Sequence, residues 1–540
     1  MAASQTAQAL EPGPEPSEAP ARHPRRPPAF LALAGVALAG ATFLPLAYLL
    51  LTVGGSAGEA IDAVANARTV ELTARSTGLA VAVTAAAILI GVPLAWLTAR
   101  TDLPGRRAWT VAAVLPLVIP SYIGAYAFLS AFGSTGLLRD ALTPLGVERL
   151  PDITGFAGAW LVLTLFTYPL VLLPVRSALR GLDPRLEEAA LGLGRTPWQT
   201  FRSIVLPQLV PAIGAGGILV ALYVLHDFGA VSIMRFDSFT REIYVAYRAS
   251  FDRTGAAALA LILVALMLIL LWLESRARGG LVLHRSGPGA SRPARIIPLG
   301  RWRVPALLFC GVVCALALAL PAGVLAYWSL QSFAGSPDWA GTLEAAGSSL
   351  LVSGLAALAA AACAVPIAIL SVRYPGRGSR LIERLSYTGY ALPGIVVALA
   401  LVFFATRAAP VTYQTLGLLV FAFMVLFLPL AIGAARASLQ QVSPHLEEAA
   451  RSLGRSPLSV LRTITAPLMA SGVLAGAALV FLTAIKELPA TLILAPIGFE
   501  TLATEIWNAT NVGFFERGAI PSLVLLAVSA PSLYLLIERE

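Results

Sequence analysis

The sequence predicts an all-α polytopic membrane protein, with about 12 transmembrane helices in two parallel six-helix repeats. Three observations lead there. Of 540 residues, 57% are hydrophobic and 12% are charged, against about 25% charged in an ordinary soluble domain. The apolar residues fall in runs of roughly 20, the length of a bilayer-crossing helix. Those runs are continuous, so they lack the alternation of a membrane β-barrel. A mean hydropathy of +0.79 also excludes a disordered chain and argues against a soluble enzyme.

Taken in order, the apolar runs are 29–52, 79–99, 108–132, 155–175, 208–230, 256–273, 304–328, 348–371, 386–405, 414–434, 468–494 and 519–537. Pro93, Pro116 and Pro366 lie inside them. Membrane helices accept proline, because neighbouring groups re-satisfy the freed backbone. Residues 1–28 are rich in Pro, Ala and Glu and end in Arg22, His23, Arg25 and Arg26. They read as a disordered cytoplasmic tail rather than a signal peptide, since the polar leader is long and the next run is long enough to span. Residues 29–278 form the first transmembrane half. The Gly-, Ser-, Pro- and Arg-rich stretch 279–303 reads as a cytoplasmic linker, and 304–540 form the second half.

The net charge is +9, and Lys486 is the one lysine. In a membrane protein such an excess orients the chain and needs no nucleic acid. With the tail inside, every inner loop carries arginine: Arg100, Arg106 and Arg107, then Arg176 to Arg202, Arg276 to Arg303, Arg373 to Arg384, and Arg436 to Arg462. Both termini are then cytoplasmic. Cys310, Cys314 and Cys363 sit in apolar runs and read as small buried residues.

The chain is internally duplicated. Residues 184–207 and 444–467 are identical at 13 of 24 positions, at an offset of 260. Weaker echoes pair Arg100 with Arg373, each before a Pro-Gly-Arg run, and Pro120 with Pro393. Parallel repeats are common in transporters, which move one half against the other.

Each repeated segment lies in an inner loop between the fourth and fifth spans of its half. Asp183 and Ser443 suit helix N-caps, with Pro next. Glu187, Glu188, Glu447 and Glu448 fall at the helix start, where the dipole favours them. Ala189 and Ala190, like Ala449 and Ala450, leave a smooth surface. Gly194 and Gly454 can end the helix in the left-handed conformation. Thr196-Pro197 and Ser456-Pro457 then start a second helix that re-enters the membrane. The result is a short surface helix suited to a mechanical contact, and two copies imply a two-fold partner.

At this point the sequence resembles the ATP-binding-cassette importer permeases. Glu188-Ala189-Ala190, three residues, Gly194, nine residues and Ile204-x-Leu206-Pro207 match their EAA loop. The second copy has Glu448-Ala449-Ala450, Gly454, Ile464 and Pro467, with Ala466 in place of the leucine. The resemblance covers nearly all the chain beyond the tail and implies a type I importer fold, MetI-like. It implies that Glu187, Glu188, Ala189, Gly194, Glu447, Glu448, Ala449 and Gly454 form coupling helices docking on an ABC ATPase homodimer at the cytoplasmic side. A phosphate-binding loop needs Gly-Lys followed by Ser or Thr, and Lys486 follows Ile485. ATP and Mg would therefore be used by the partner, with no cofactor bound by this chain.

The end of the fifth span carries ionisable groups in both halves: His226-Asp227 and Lys486-Glu487. Charges at membrane depth are costly and default to functional candidates, so Asp227 and Glu487 mark a candidate substrate path. The alternative pairs them locally with His226 and Lys486 at the outer boundary. Asp237, Glu242, Glu500 and Glu505 read as solvated or as docking a binding protein. These stretches resemble fused ferric-iron permeases. That likeness implies ferric iron as substrate, a periplasmic or extracellular binding protein as partner, and a bacterial inner (plasma) membrane with its lipid as surroundings. Thiamine, polyamine and phosphonate permeases share the loop. An ion-coupled secondary transporter would use the same two carboxylates without an ATPase. A membrane enzyme has little support, with four histidines and no zinc-type cluster.

Overall fold

A computed structural model describes residues 27–55, 58, 66–133, 136–146, 150–250, 252–279, 296–335 and 337–529. Most of the tail and linker, and the end of the last span beyond 529, lie outside them. Among the described residues the secondary structure is helical, apart from a bridge between Thr101 and Ile297. It ties the loop after Arg100 to the end of the linker, with Ile297 N–H donating to Arg100 O at 2.8 Å.

Nine described helices are long and apolar enough to cross a membrane: Ala29–Gly55, Ala67–Arg100, Phe156–Gly181, Pro197–His226, Arg253–Leu273, Gly300–Ala334, Trp339–Arg373, Leu416–Gln441 and Leu458–Ala484. Arg106–Val118 and Ser121–Arg139 make a tenth if counted as one span bent by 97°. The runs at 386–405 and 519–537 correspond to Gly394–Ala408 and Phe515–Ser529, of 15 residues each. Large apolar side chains such as Leu33, Leu89, Leu308, Leu358 and Leu474 point outward, which lipid accepts and water would penalise.

Several spans differ from the sequence reading. Expected run 108–132 is broken at Ile119-Pro120, and 386–405 is broken at Leu392-Pro393. Ile119 and Leu392 are extended, as residues before proline tend to be. The runs 208–230 and 468–494 end early, at His226 and Ala484, before the short helices Gly229–Ile233 and Pro489–Leu494. Those spans also begin earlier than expected, at Pro197 and Leu458. Each absorbs a wide π turn, Phe201–Val205 and Leu461–Thr465, just before Pro207 and Pro467. Proline lacks the N–H that would close a regular turn, and a π bulge accommodates that loss.

The two halves share a core of second, fourth and fifth spans. Ala67–Arg100 packs on Pro169–Gly181 and Leu206–His226, and Trp339–Arg373 packs on Leu416–Gln441 and Ala466–Ala484. The first helices are exchanged. Ala29–Gly55 packs on Arg377–Ser386 and Gly394–Ala408 of the second half, while Leu320–Ala334 reaches Ser121–Phe132 of the first. Thr42 Oγ1 donates to Leu385 O at 3.3 Å across that contact.

Small residues set the core spacing, as they do where helices meet in lipid. A Cβ on Gly216 would lie 2.8 Å from Val171 Cα, and one on its repeat mate Gly476 would lie 3.0 Å from Ala431 Cα. Gly216→Ala and Gly476→Ala should therefore each destabilise by about 1–3 kcal/mol through overpacking. Gly214 has open space around its Cβ position, so Gly214→Ala should melt at or above the wild-type temperature in detergent. Equal melting of Gly216→Ala and Gly214→Ala would refute this packing account.

Candidate functional site

The repeated loops fold as twin helix–turn–helix units. Pro184–Gly192 starts at Asp183, whose side chain accepts from Arg185 N–H at 3.0 Å. Pro444–Ser452 starts at Ser443, which makes no side-chain cap and accepts only through its carbonyl, from Leu446 N–H at 3.3 Å. Of the two expected side-chain caps, only Asp183 forms. Both helices end alike. Gly194 and Gly454 have φ of +81° and +83°, a conformation that strains any residue with a Cβ. Arg195 N–H then donates to Ala190 O, and Arg455 N–H to Ala450 O, both at 3.1 Å, satisfying carbonyls the helix end leaves open. Thr196 and Ser456 cap the next helix through Gln199 and Ser459 N–H. Arg195 reaches Ser203 and Arg455 reaches Thr463, which fixes the angle between the two helices.

Besides Gly194 and Gly454, the six other expected loop residues divide into two sets. Glu188 and Ala189 are exposed, as is Ala449, while Glu448 is partly exposed, with His445 Nδ1 at 3.6 Å. These present outward. Glu187 and Glu447 turn inward instead. Glu187 pairs with Arg100, the last residue of the second span, whose side chain is 1% exposed. Arg100 also lies over the Trp96 ring, and Trp96 packs edge-on against Phe201. Glu447 accepts from Arg373 Nε at 3.0 Å and Thr465 Oγ1 at 3.2 Å, with Arg451 at 3.6 Å. Arg373 donates in turn to Val442 O at 2.8 Å. Each short helix is thus fastened to the end of its own second span by a carboxylate–guanidinium pair.

Sequence reading missed the apolar part of this surface. Leu193 and Leu453, each just before its glycine, are 85% and 83% exposed, and Leu186 and Leu446 are about half exposed. Their recurrence at the same offset of 260 was the available signal. Exposed leucines beside exposed or partly exposed carboxylates make an apolar and acidic surface, present twice.

Asp227 and Glu487 come to equivalent places at the end of the fifth spans. Asp227 is buried and accepts from the Ser121 hydroxyl, from Ala230 N–H at 2.9 Å and from Val231 N–H at 3.3 Å. Glu487 accepts from Ala490 N–H at 3.3 Å. Each carboxylate caps the short helix that follows the break, where the N-terminal N–H groups favour negative charge. The expected local pairs with His226 and Lys486 do not appear in these contacts. Lys486 Nζ instead donates to Val118 O of the first half at 3.0 Å, and His226 Nδ1 lies 3.3 Å from Leu222 O. Among the described residues, no group of three or more His, Cys, Asp or Glu could hold a metal ion.

The outer acids are mostly paired. Glu242 bonds Arg68 at 2.5 Å, and Asp237 bonds Arg241 and, at 3.2 Å, Arg75. Glu505 accepts from Thr342 at 3.2 Å.

The family described as binding-protein-dependent transport system inner membrane component matches residues 91–276 and 363–538, once in each half. An Fe(3+)-transport system permease protein, FbpB 2 of Haemophilus influenzae, is 34% identical over 520 residues, covering 95% of this chain and 99% of the relative. The ferric transport system permease protein FbpB of Actinobacillus pleuropneumoniae is 25% identical over 465 residues, covering 81% and 67%. The molybdenum transport system permease protein ModB of Escherichia coli is 33% identical over 224 residues, covering 37% of this chain and 94% of its own.

Proposed function

The chain belongs to the binding-protein-dependent transport system inner membrane component family, and from that premise we infer that it is the fused permease of a ferric-iron importer. The observation that carries this reading is the pair of repeated helix–turn–helix loops, each with an exposed or partly exposed glutamate, an exposed leucine and a left-handed glycine. One chain supplies both halves of the path. Its two loops receive the two subunits of an ABC ATPase homodimer, with Glu188 and Glu448 meeting basic groups and Leu193 and Leu453 filling apolar hollows. Glu187 and Glu447 transmit the movement through Arg100 and Arg373 to the second spans. ATP and Mg belong to that partner, and a binding protein delivers ferric iron at the opposite face. By the arginine-rich inner loops, both termini are cytoplasmic. End-to-end similarity to ferric-transport relatives favours iron over thiamine, polyamine or phosphonate.

The test is reconstitution in proteoliposomes with the ATPase and ferric-loaded binding protein. Uptake should require ATP, stop with vanadate and survive a protonophore. Uptake that survives vanadate and collapses with a protonophore would make the chain a secondary transporter.

A further inference from the structure

Four chain breaks meet where the halves face each other. Lys486, at the end of the second half's fifth span, bonds Val118 O, two residues before the break at Pro120. His226, at the end of the first half's fifth span, reaches the backbone of Leu392, just before the break at Pro393. The second half's fifth span therefore grips the broken third span of the first half, and the first half's fifth span ends beside the break at Pro393.

A string of side-chain oxygens lies between these contacts. Asp227 takes the Ser121 hydroxyl, and Tyr223 lies one helical turn before Asp227, whose N–H donates to Tyr223 O at 2.9 Å. Tyr122 is 3% exposed, and its Oη is buried with no hydrogen-bond partner. It lies in the field of both Glu487 and Tyr223. A buried polar group left unsatisfied is costly, so Tyr122 retains its hydroxyl at a penalty. Glycines let backbone approach two of these side chains closely. A Cβ on Gly229 would sit 2.7 Å from Tyr122 Cβ, and one on Gly394 would sit 2.2 Å from Glu487 Oε1.

The repeat departs from symmetry here. By the offset that pairs Pro120 with Pro393, Ser121 falls on Gly394 and Tyr122 on Ile395; by the loop offset, Tyr223 falls on Thr483. Both phenols thus come from the first half alone, and the second half has isoleucine and threonine in their places.

We propose that Tyr122, Tyr223, Asp227 and Glu487 form an oxygen-only transit site for a hard trivalent cation between the halves. The site rests on the ferric reading above and gives it residues. Hard cations take oxygen ligands, and two carboxylates offset part of a triple charge. A transit site has to release its ion, so weak contacts spread along a path suit it better than a closed cage. The carboxylates meanwhile cap backbone N–H groups, which keeps the path shut when it is empty.

Tyr122→Phe is the sharp variant, since it deletes an unpartnered oxygen and leaves the ring. In proteoliposomes holding the complete importer, ferric uptake should fall at least tenfold. The melting temperature should stay the same or rise, and ATPase stimulation by loaded binding protein should persist. Tyr168→Phe is the control, because Tyr168 Oη is equally buried and unpartnered but lies beside Cys310 and Cys314. Wild-type uptake in both variants would overturn the site. If Tyr122→Phe melts lower, Tyr223→Phe decides by the same criteria. Absence of ferric uptake in the wild-type importer would overturn the ferric reading and this site with it.

Discussion

Replacing Glu188 and Glu448 together by alanine is expected to abolish ATP-driven uptake while leaving the membrane domain folded. Glu188 is exposed and Glu448 is partly exposed, beside His445. Removing such surface groups changes stability by about 0.5 kcal/mol or less. In a docked complex the same groups are desolvated against cations, where truncating one partner costs about 2–5 kcal/mol. Loss at two sites corresponds to a fall in uptake of about a hundredfold or more, since about 1.4 kcal/mol is a factor of ten. Co-purification of the ATPase should fail as well, and thermal melting of the isolated permease should be unchanged. Wild-type uptake by the double variant would disprove the coupling role.

Arg100→Ala should damage the fold itself, by about 3 kcal/mol. Arg100 is almost fully buried and pairs with Glu187. Deleting one member of a buried pair strands the other charge, at about 3–5 kcal/mol. Glu187 keeps some access to solvent, with its side chain 15% exposed, which places the effect at the low end. Arg373→Ala is expected to cost less, about 1–2 kcal/mol, because Glu447 keeps Thr465 and Arg451. Adding Glu187→Ala to Arg100→Ala should recover part of the loss, since no carboxylate is then stranded. Denaturation in detergent would check both numbers. Equal losses at Arg100 and Arg373 would sink the argument from back-up partners.

The loops were legible because their information is local. Asp183, Pro184, Gly194 and Thr196 each act within a few residues, and the second copy repeats the pattern. The inward role of Glu187 was hidden because its partner lies 87 residues away. The recurrence of Arg100 and Arg373 pointed to importance without naming the partner. Proline was ambiguous for a physical reason. Pro45, Pro93, Pro366 and Pro429 remain inside continuous helices, while the chain breaks at Pro120 and Pro393. What differs is the surroundings: Ser121 is claimed by Asp227, and Gly394 lies against Glu487. Tyr122 escaped notice because an aromatic residue in an apolar run reads as core.

The exchange of first helices bears on how the protein is made. Thr42 and its contact Leu385 are 343 residues apart. At roughly 5–20 residues per second on the ribosome, the first helix waits on the order of half a minute for its neighbours. During that time only lipid covers the face that will later bind the second half. Completion of the N-terminal half is therefore set by translation of the C-terminal half, and a nascent chain stalled near its middle would hold an unclosed helix for the insertion and quality-control machinery to recognise.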